Sequence, residues 1–143
     1  MTPTHAIIHH SLTEDSKTVS WGAIRRYHME TQGWNEIGYQ IGIELIGDYY
    51  EVLMGRPLTS VGAHTVGMNS RSIGICFIGN YDLAPPPDAM MDTAVWIITP
   101  LIDELDIPCA NIHPHSKYAD KTCPGRMFPM KEFVEALKRG YWK

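Results

Sequence analysis

No run of apolar residues in this 143-residue sequence approaches the ~20 that a membrane-spanning helix needs. The opening stretch MTPTHAIIHHS has neither a basic region nor a cleavable apolar segment, so the sequence shows no signal peptide. Both absences lead to the expectation of a chain made and kept in the cytoplasm, without a membrane anchor. Cysteine is scarce: Cys76, Cys109 and Cys123 make an odd count, which argues against a disulfide framework where no export signal is present. The net charge of −4 lacks the basic excess of a general nucleic-acid binder, and nucleic acid is excluded as a partner on that ground. No internal repeat or low-complexity tract appears.

What is present is the composition of one globular domain, residues 1–143, with 44% apolar and 20% charged residues and enough length to bury a core. A monomer is expected. The charge is uneven: from His113 onward seven basic residues face three acidic ones, while the remainder carries −8. A solvated helix face accounts for the basic segment, and a patch facing an anionic substrate is the sharper alternative.

Apolar patterning sets the elements. HAIIHH (5–10) reads as a short buried strand, and a helix follows, with Ser20 as its cap, Trp21, Ile24 and Tyr27 or His28 at helical spacing, and Gly33 as its end. GYQIGIELI and YYEVLM read as a hairpin about Gly47-Asp48, and SIGICFIG as the central strand. Between them, residues 56–72 form a Gly- and Ser-rich loop long enough to suspect function. The prolines of DLAPPPDAM make a rigid connector into a helix over Asp88 to Leu105, which either kinks at Pro100 or splits in two there. A short strand near CANIH precedes a last helix whose Met130, Phe133, Val134 and Leu137 share one face, stopped by Gly140. Strands alternating with helices give an α/β fold, a central mixed sheet flanked by helices.

Chemistry-bearing residues concentrate in HPHSKYADKTCPG (113–125), where His115 and Cys123 stand eight residues apart. That separation is too long for one helical face or for a short zinc knuckle, so spacing alone leaves three readings open. A loop that brings both side chains together with a histidine from the first strand makes a catalytic zinc site with one open position. A fourth ligand from His10, His113 or Cys109 makes a closed structural site. Without metal, Cys123 activated by His115 is a Cys-His hydrolase pair. His9 and His10 end a strand on which neighbouring side chains face opposite ways, so one of them faces a site on the sheet and the other does not. Cys76, inside an apolar run, reads as an inert buried thiol.

AIIHHS, GWNEIGYQ, VGAHTVGMNSRSIGICFIGNYD and HSKYADKTCPG together carry a resemblance. In that order, spanning residues 6 to 125, the sequence resembles the zinc-dependent N-acetylmuramoyl-L-alanine amidases of the phage-lysozyme and peptidoglycan-recognition-protein type. The resemblance implies a Zn2+ site in a surface groove and hydrolysis of the amide between N-acetylmuramic acid and L-alanine in peptidoglycan or muropeptides. It implies His9, His115 and Cys123 as metal ligands, and Tyr39 and Lys121 as catalytic groups. His64 and Asn69 fall where that family lines its substrate groove. Arg126, after the Cys-Pro-Gly turn, is suited to grip a stem-peptide carboxylate, because guanidinium matches carboxylate in a bidentate way.

Departures from the family pattern leave these ligands in place. Gln40 stands where relatives often carry histidine, ELIGDYYEVLMGRP lacks the family's charged turn, and DLAPPPDAM is a connector of its own kind. A recognition module that binds peptidoglycan without cutting it is the alternative function; that branch typically loses the cysteine, which is present here. The expected setting is a phage or prophage endolysin acting on the wall after release, with a wall-recycling enzyme as the other possibility.

Overall fold

The computed structural model describes residues 1–12 and 20–143. Among the described residues five strands form one mixed sheet: β1 (His5–His10), β2 (Ile41–Ile46), β3 (Tyr49–Met54), β4 (Ser72–Phe77) and β5 (Ile112–Pro114), in spatial order β3-β2-β4-β1-β5. β1 runs parallel to β4 and β5, and β2 parallel to β4, while β3 returns antiparallel to β2 through the expected hairpin. Helices α1 (Trp21–Arg26), α2 (Asp88–Glu104) and α3 (Met130–Arg139) flank the sheet, the α/β architecture that the patterning predicts.

Strand alternation divides the sheet into two unlike faces. Ala6 and Ile8 of β1, Ile41 and Ile43 of β2, and Ile73, Ile75 and Phe77 of β4 join Met90, Met91, Val95 and Ile98 of α2 and Phe133 of α3 in the main core. Burying each of these large side chains fully contributes about 1.5–3 kcal/mol, and Phe77, Phe128 and Phe133 add edge-to-face contacts at 4.9 to 5.8 Å. The opposite face carries His9, Gly42, Gly74 and Cys76, and its apolar cluster is small: Trp21, Ile37, Cys76 and Ile78. Glycine is required on this face. A Cβ on Gly42 would sit 2.3 Å from the Trp21 ring, and one on Gly74 would sit 2.6 Å from His64.

Several boundaries differ from the sequence expectation. The helix after Ser20 has six α-helical residues and then widens into a π turn over Tyr27–Thr31, where the Gln32 amide donates to the Tyr27 carbonyl at 3.1 Å. The wider turn brings His28 inward, its Nδ1 accepting the Gly38 amide at 3.0 Å and its ring lying 4.7 Å from Trp34. The second strand begins at Ile41, not Gly38, because Gln40 bridges the adjoining loop instead: its side chain accepts from the Gly74 amide at 2.7 Å and donates to the Ser60 carbonyl at 3.0 Å. Cys109–Asn111 is a 3-10 turn, and the strand is confined to Ile112–Pro114.

Helix α2 runs unbroken through Pro100. The proline leaves the Trp96 carbonyl without its helical donor, but Trp96 is 75% exposed, so water solvates that side of the helix while the buried face is kept. Helix α3 ends as the sequence predicts. Gly140 adopts φ 89°, and its amide donates to the Ala136 carbonyl at 2.8 Å.

Candidate metal centre

The parallel pairing of β1 with β5 builds the centre. Ile8 lies opposite Pro114 in the register, so the next residues along, His9 and His115, leave the sheet side by side with ring centroids 4.5 Å apart. Cys123 reaches the same point from the following loop: its Sγ is 3.8 Å from His9 Nδ1 and accepts the His10 amide at 3.3 Å. One ligand atom from each of His9, His115 and Cys123 lies within 4.8 Å of the other two, and all three residues are buried. His10 faces away, its Nδ1 accepting the Tyr81 amide at 3.1 Å.

The cysteine loop is fastened from two sides. Its Cys123 carbonyl accepts the Ser116 amide at 2.9 Å, which closes residues 116–123 into a loop. Asp82 accepts the Arg126 amide at 2.8 Å and the Thr122 hydroxyl at 2.9 Å. Gly125, at φ 117°, rests on the Tyr81 backbone, where a Cβ would sit 2.3 Å from the carbonyl carbon. The peptide between Cys123 and Pro124 is cis.

Electrostatics keep the histidines neutral. Burial first, then His64, His115 and Lys121, hold His9 well below the ordinary histidine value. Burial and Lys121 lower His115 in the same way. Burial pushes the Cys123 thiol up to about 11, against the opposing pull of the His10 amide and Lys121. Neutral imidazoles with a buried thiol make a donor set of the type that holds zinc, and a dication is what renders such a thiolate favourable. In a tetrahedral zinc site the Zn–S and Zn–N bonds separate sulfur from nitrogen by about 3.5 Å. The observed 3.8 Å between Cys123 and His9 fits that geometry.

Tyr39 lies half-buried beside His9, ring centroids 5.1 Å apart. Burial, then Cys76 and Cys123, raise its hydroxyl well above the ordinary tyrosine value, so it stays a neutral donor. The exposed Lys121 belongs to a groove of about 330 Å³ together with Trp34, His64, Asn69, His115 and Tyr118. Asn69 also shapes that groove, because its Oδ1 accepts the His64 and Thr65 amides, each at 2.8 Å. Arg126 does not line the groove; its 76% exposed side chain approaches Asp82 at 3.9 Å. His113 points elsewhere, toward Lys117 at 3.2 Å and the His5 ring at 5.9 Å. Gln40 is fully buried and has no access to the groove. Sequence reasoning missed Thr65, whose hydroxyl is 3.3 Å from His9 Nε2, and Trp34 and Tyr118 on the groove wall. All three lie inside the segments that carry the resemblance, but no spacing signal marks any of them.

The Amidase_2 family model, described as N-acetylmuramoyl-L-alanine amidase, matches residues 1–126. A human N-acetylmuramoyl-L-alanine amidase is 45% identical over 71 residues, half of this chain but only 12% of that protein's length. The endolysin of Klebsiella phage KP32 is 34% identical over 131 residues, covering 90% of this chain and 83% of the endolysin. Peptidoglycan-recognition protein SC2 of Drosophila melanogaster is 32% identical over 85% of this chain and 67% of its own length. Among solved structures, N-acetylmuramoyl-L-alanine amidase LysC from Clostridium intestinale URNW superposes with a TM-score of 0.82 at 25% identity, covering 96% of this chain and 86% of that one.

Proposed function

The chain belongs to the N-acetylmuramoyl-L-alanine amidase family, and from that premise we propose that it hydrolyses the amide joining N-acetylmuramic acid to L-alanine in peptidoglycan, with zinc held by His9, His115 and Cys123. The observation that carries this reading is the convergence of the three donors within 4.8 Å beside a groove that Lys121 lines. Among relatives, a phage endolysin matched along most of both chains supports wall cleavage as the setting. Among the described residues no helix is long and apolar enough to cross a membrane.

When bound, zinc supplies Lewis acidity toward a carbonyl oxygen and lowers the pKa of water to about 7. The protein's own groups do the rest. His9 and His115 present neutral nitrogens, and the His10 amide steadies the sulfur of Cys123. Addition of hydroxide to the scissile amide would gather negative charge on the carbonyl oxygen, and breaking the C–N bond would then require a proton at the leaving L-alanine nitrogen. The Lys121 ammonium and the Tyr39 hydroxyl are the donors assigned to that charge; losing one such donor costs about 3–4 kcal/mol of transition-state stabilisation in well-studied hydrolases. Trp34 and Tyr118 offer apolar walls for the sugar and lactyl portions, and His64 and Asn69 are assigned to the same substrate groove. Arg126 is assigned to a stem-peptide carboxylate beyond the groove.

Digestion of purified peptidoglycan with the zinc-loaded protein, followed by mass spectrometry of the products, tests the reading. Free L-alanine amino termini with intact glycan strands are expected. New reducing sugar ends overturn it, and binding without any product replaces it with a recognition module.

A further inference from the structure

We propose that His64, besides lining the groove, is a positioning residue whose imidazole fixes the ring of His9 for metal coordination. The inference rests on the zinc reading above. An imidazole has two nitrogens, and those of His9 face different partners. Nδ1 lies 3.8 Å from Cys123 Sγ, while Nε2 lies 3.0 Å from His64 Nδ1 and 3.3 Å from Thr65 Oγ1. With the Nδ1 lone pair given to a metal, the proton of neutral His9 resides on Nε2, and His64 Nδ1 is the nearest acceptor for it. Outer partners of this kind set the tautomer and orientation of a ligand histidine.

The surroundings of His64 serve that bond. Its ring meets His9 at 90° with centroids 5.0 Å apart. It lies in a slot that only glycines permit: a Cβ on Gly74 or on Gly62 would come within 2.6 Å of ring atoms. Asn69 grips the backbone amides of both His64 and Thr65 at 2.8 Å, and the Thr65 hydroxyl lies 2.9 Å from His64 Nδ1, which closes a three-membered polar cluster with His9. Its other nitrogen, Nε2, is buried without a hydrogen-bond partner among the described residues, so the polar contacts of this ring run through Nδ1 to His9 and Thr65.

Two substitutions isolate the acceptor. His64→Asn keeps an acceptor oxygen near the Nδ1 position, whereas His64→Gln moves the polar atoms toward the Nε2 position. Zinc affinity of wild type and both variants is measured without substrate, by competition with a chromophoric chelator, with circular dichroism as the check on folding. His64→Gln is expected to bind zinc about 10- to 100-fold more weakly, the usual loss on removing an outer partner, and His64→Asn to recover most of that affinity. Wild-type-like affinity in both variants, accompanied by a rise in KM alone, overturns the positioning role and leaves His64 a substrate contact. Equal weakening in both variants overturns it too, since the acceptor would then not matter. Failure of the wild type itself to bind zinc overturns the functional reading, and the positioning role with it.

Discussion

His9 and His115 stand side by side, ring centroids 4.5 Å apart, because β1 and β5 run parallel with Ile8 opposite Pro114. The loop from His115 back to the sheet then delivers Cys123 against the His10 amide. One strand pairing and one amide–thiol bond therefore bring together a donor set that no local stretch of the chain contains.

Cys123→Ser is expected to lose zinc and with it all turnover. Stripping the wild type with a chelator should have the same effect, and adding zinc back should restore activity. Metal content by mass spectrometry alongside peptidoglycan digestion checks this; activity that survives chelation points to a metal-free thiol enzyme, and an active variant that still holds zinc shows the ligand set to be wrong.

Lys121→Ala and Tyr39→Phe are expected to keep zinc but lower kcat by roughly 10²- to 10³-fold, as for other lost oxyanion donors. Lys121 is exposed and the phenylalanine preserves the packing of the Tyr39 ring, so neither change should disturb folding. Steady-state kinetics paired with zinc titration distinguishes this from a loss of metal.

Gly125→Ala should destabilise the protein by at least about 2 kcal/mol, since a side chain is strained at positive φ and must also displace neighbouring backbone. Its φ is 117° and the new Cβ would sit 2.3 Å from the Tyr81 carbonyl carbon. Because this contact anchors the cysteine loop, zinc affinity should fall with the denaturant midpoint. Unchanged stability would mean that the loop relaxes freely.

The Arg126 amide, then the Thr122 hydroxyl, hold the Asp82 carboxyl below its ordinary value of 3.8. A depressed folded-state pKa means stability that is fully present above the unfolded value and lost as pH falls through the folded one. Asp82→Asn should thus lower Tm at neutral pH, and the gap from wild type should close as pH drops below 3.8. Thermal melts of both proteins across pH 2 to 7 provide the comparison; a gap independent of pH excludes the ionised carboxylate as its source.

Pro100→Ala should stabilise the protein by about 1–3 kcal/mol, because it restores a helical hydrogen bond to the Trp96 carbonyl and removes a poor helix former. The site faces solvent, with Trp96 75% exposed, so no core packing is sacrificed. Denaturant titration measures the change, and a neutral or negative result means that water already satisfies the Trp96 carbonyl equally well.

Local chemistry in the sequence determined most of the elements. Short apolar, β-branched runs marked β1 and β4, Ser20 and Gly140 marked a helix start and a helix stop, and the 3.6-residue period marked the buried stripe of α3. These signals are legible because they act between residues a few positions apart. The same local rule said that His9 and His10 face opposite ways, but not which of the two faces would hold a groove. That choice came from the bulk of α2 and α3, which fills one side of the sheet with apolar side chains, while Gly42 and Gly74 keep the other side shallow. Spacing likewise left His113 open as a fourth ligand beside His115 and Cys123. Pairing with Ile7 keeps His113 in the strand, where its side chain turns to Lys117, and releases His115 at the strand end. The contact between His64 and His9 joins residues that share no local pattern at all, and only the folding of the loop between β3 and β4 onto the sheet, held by the Ala63 amide on the Gly38 carbonyl and by Asn69, brings them within 3.0 Å.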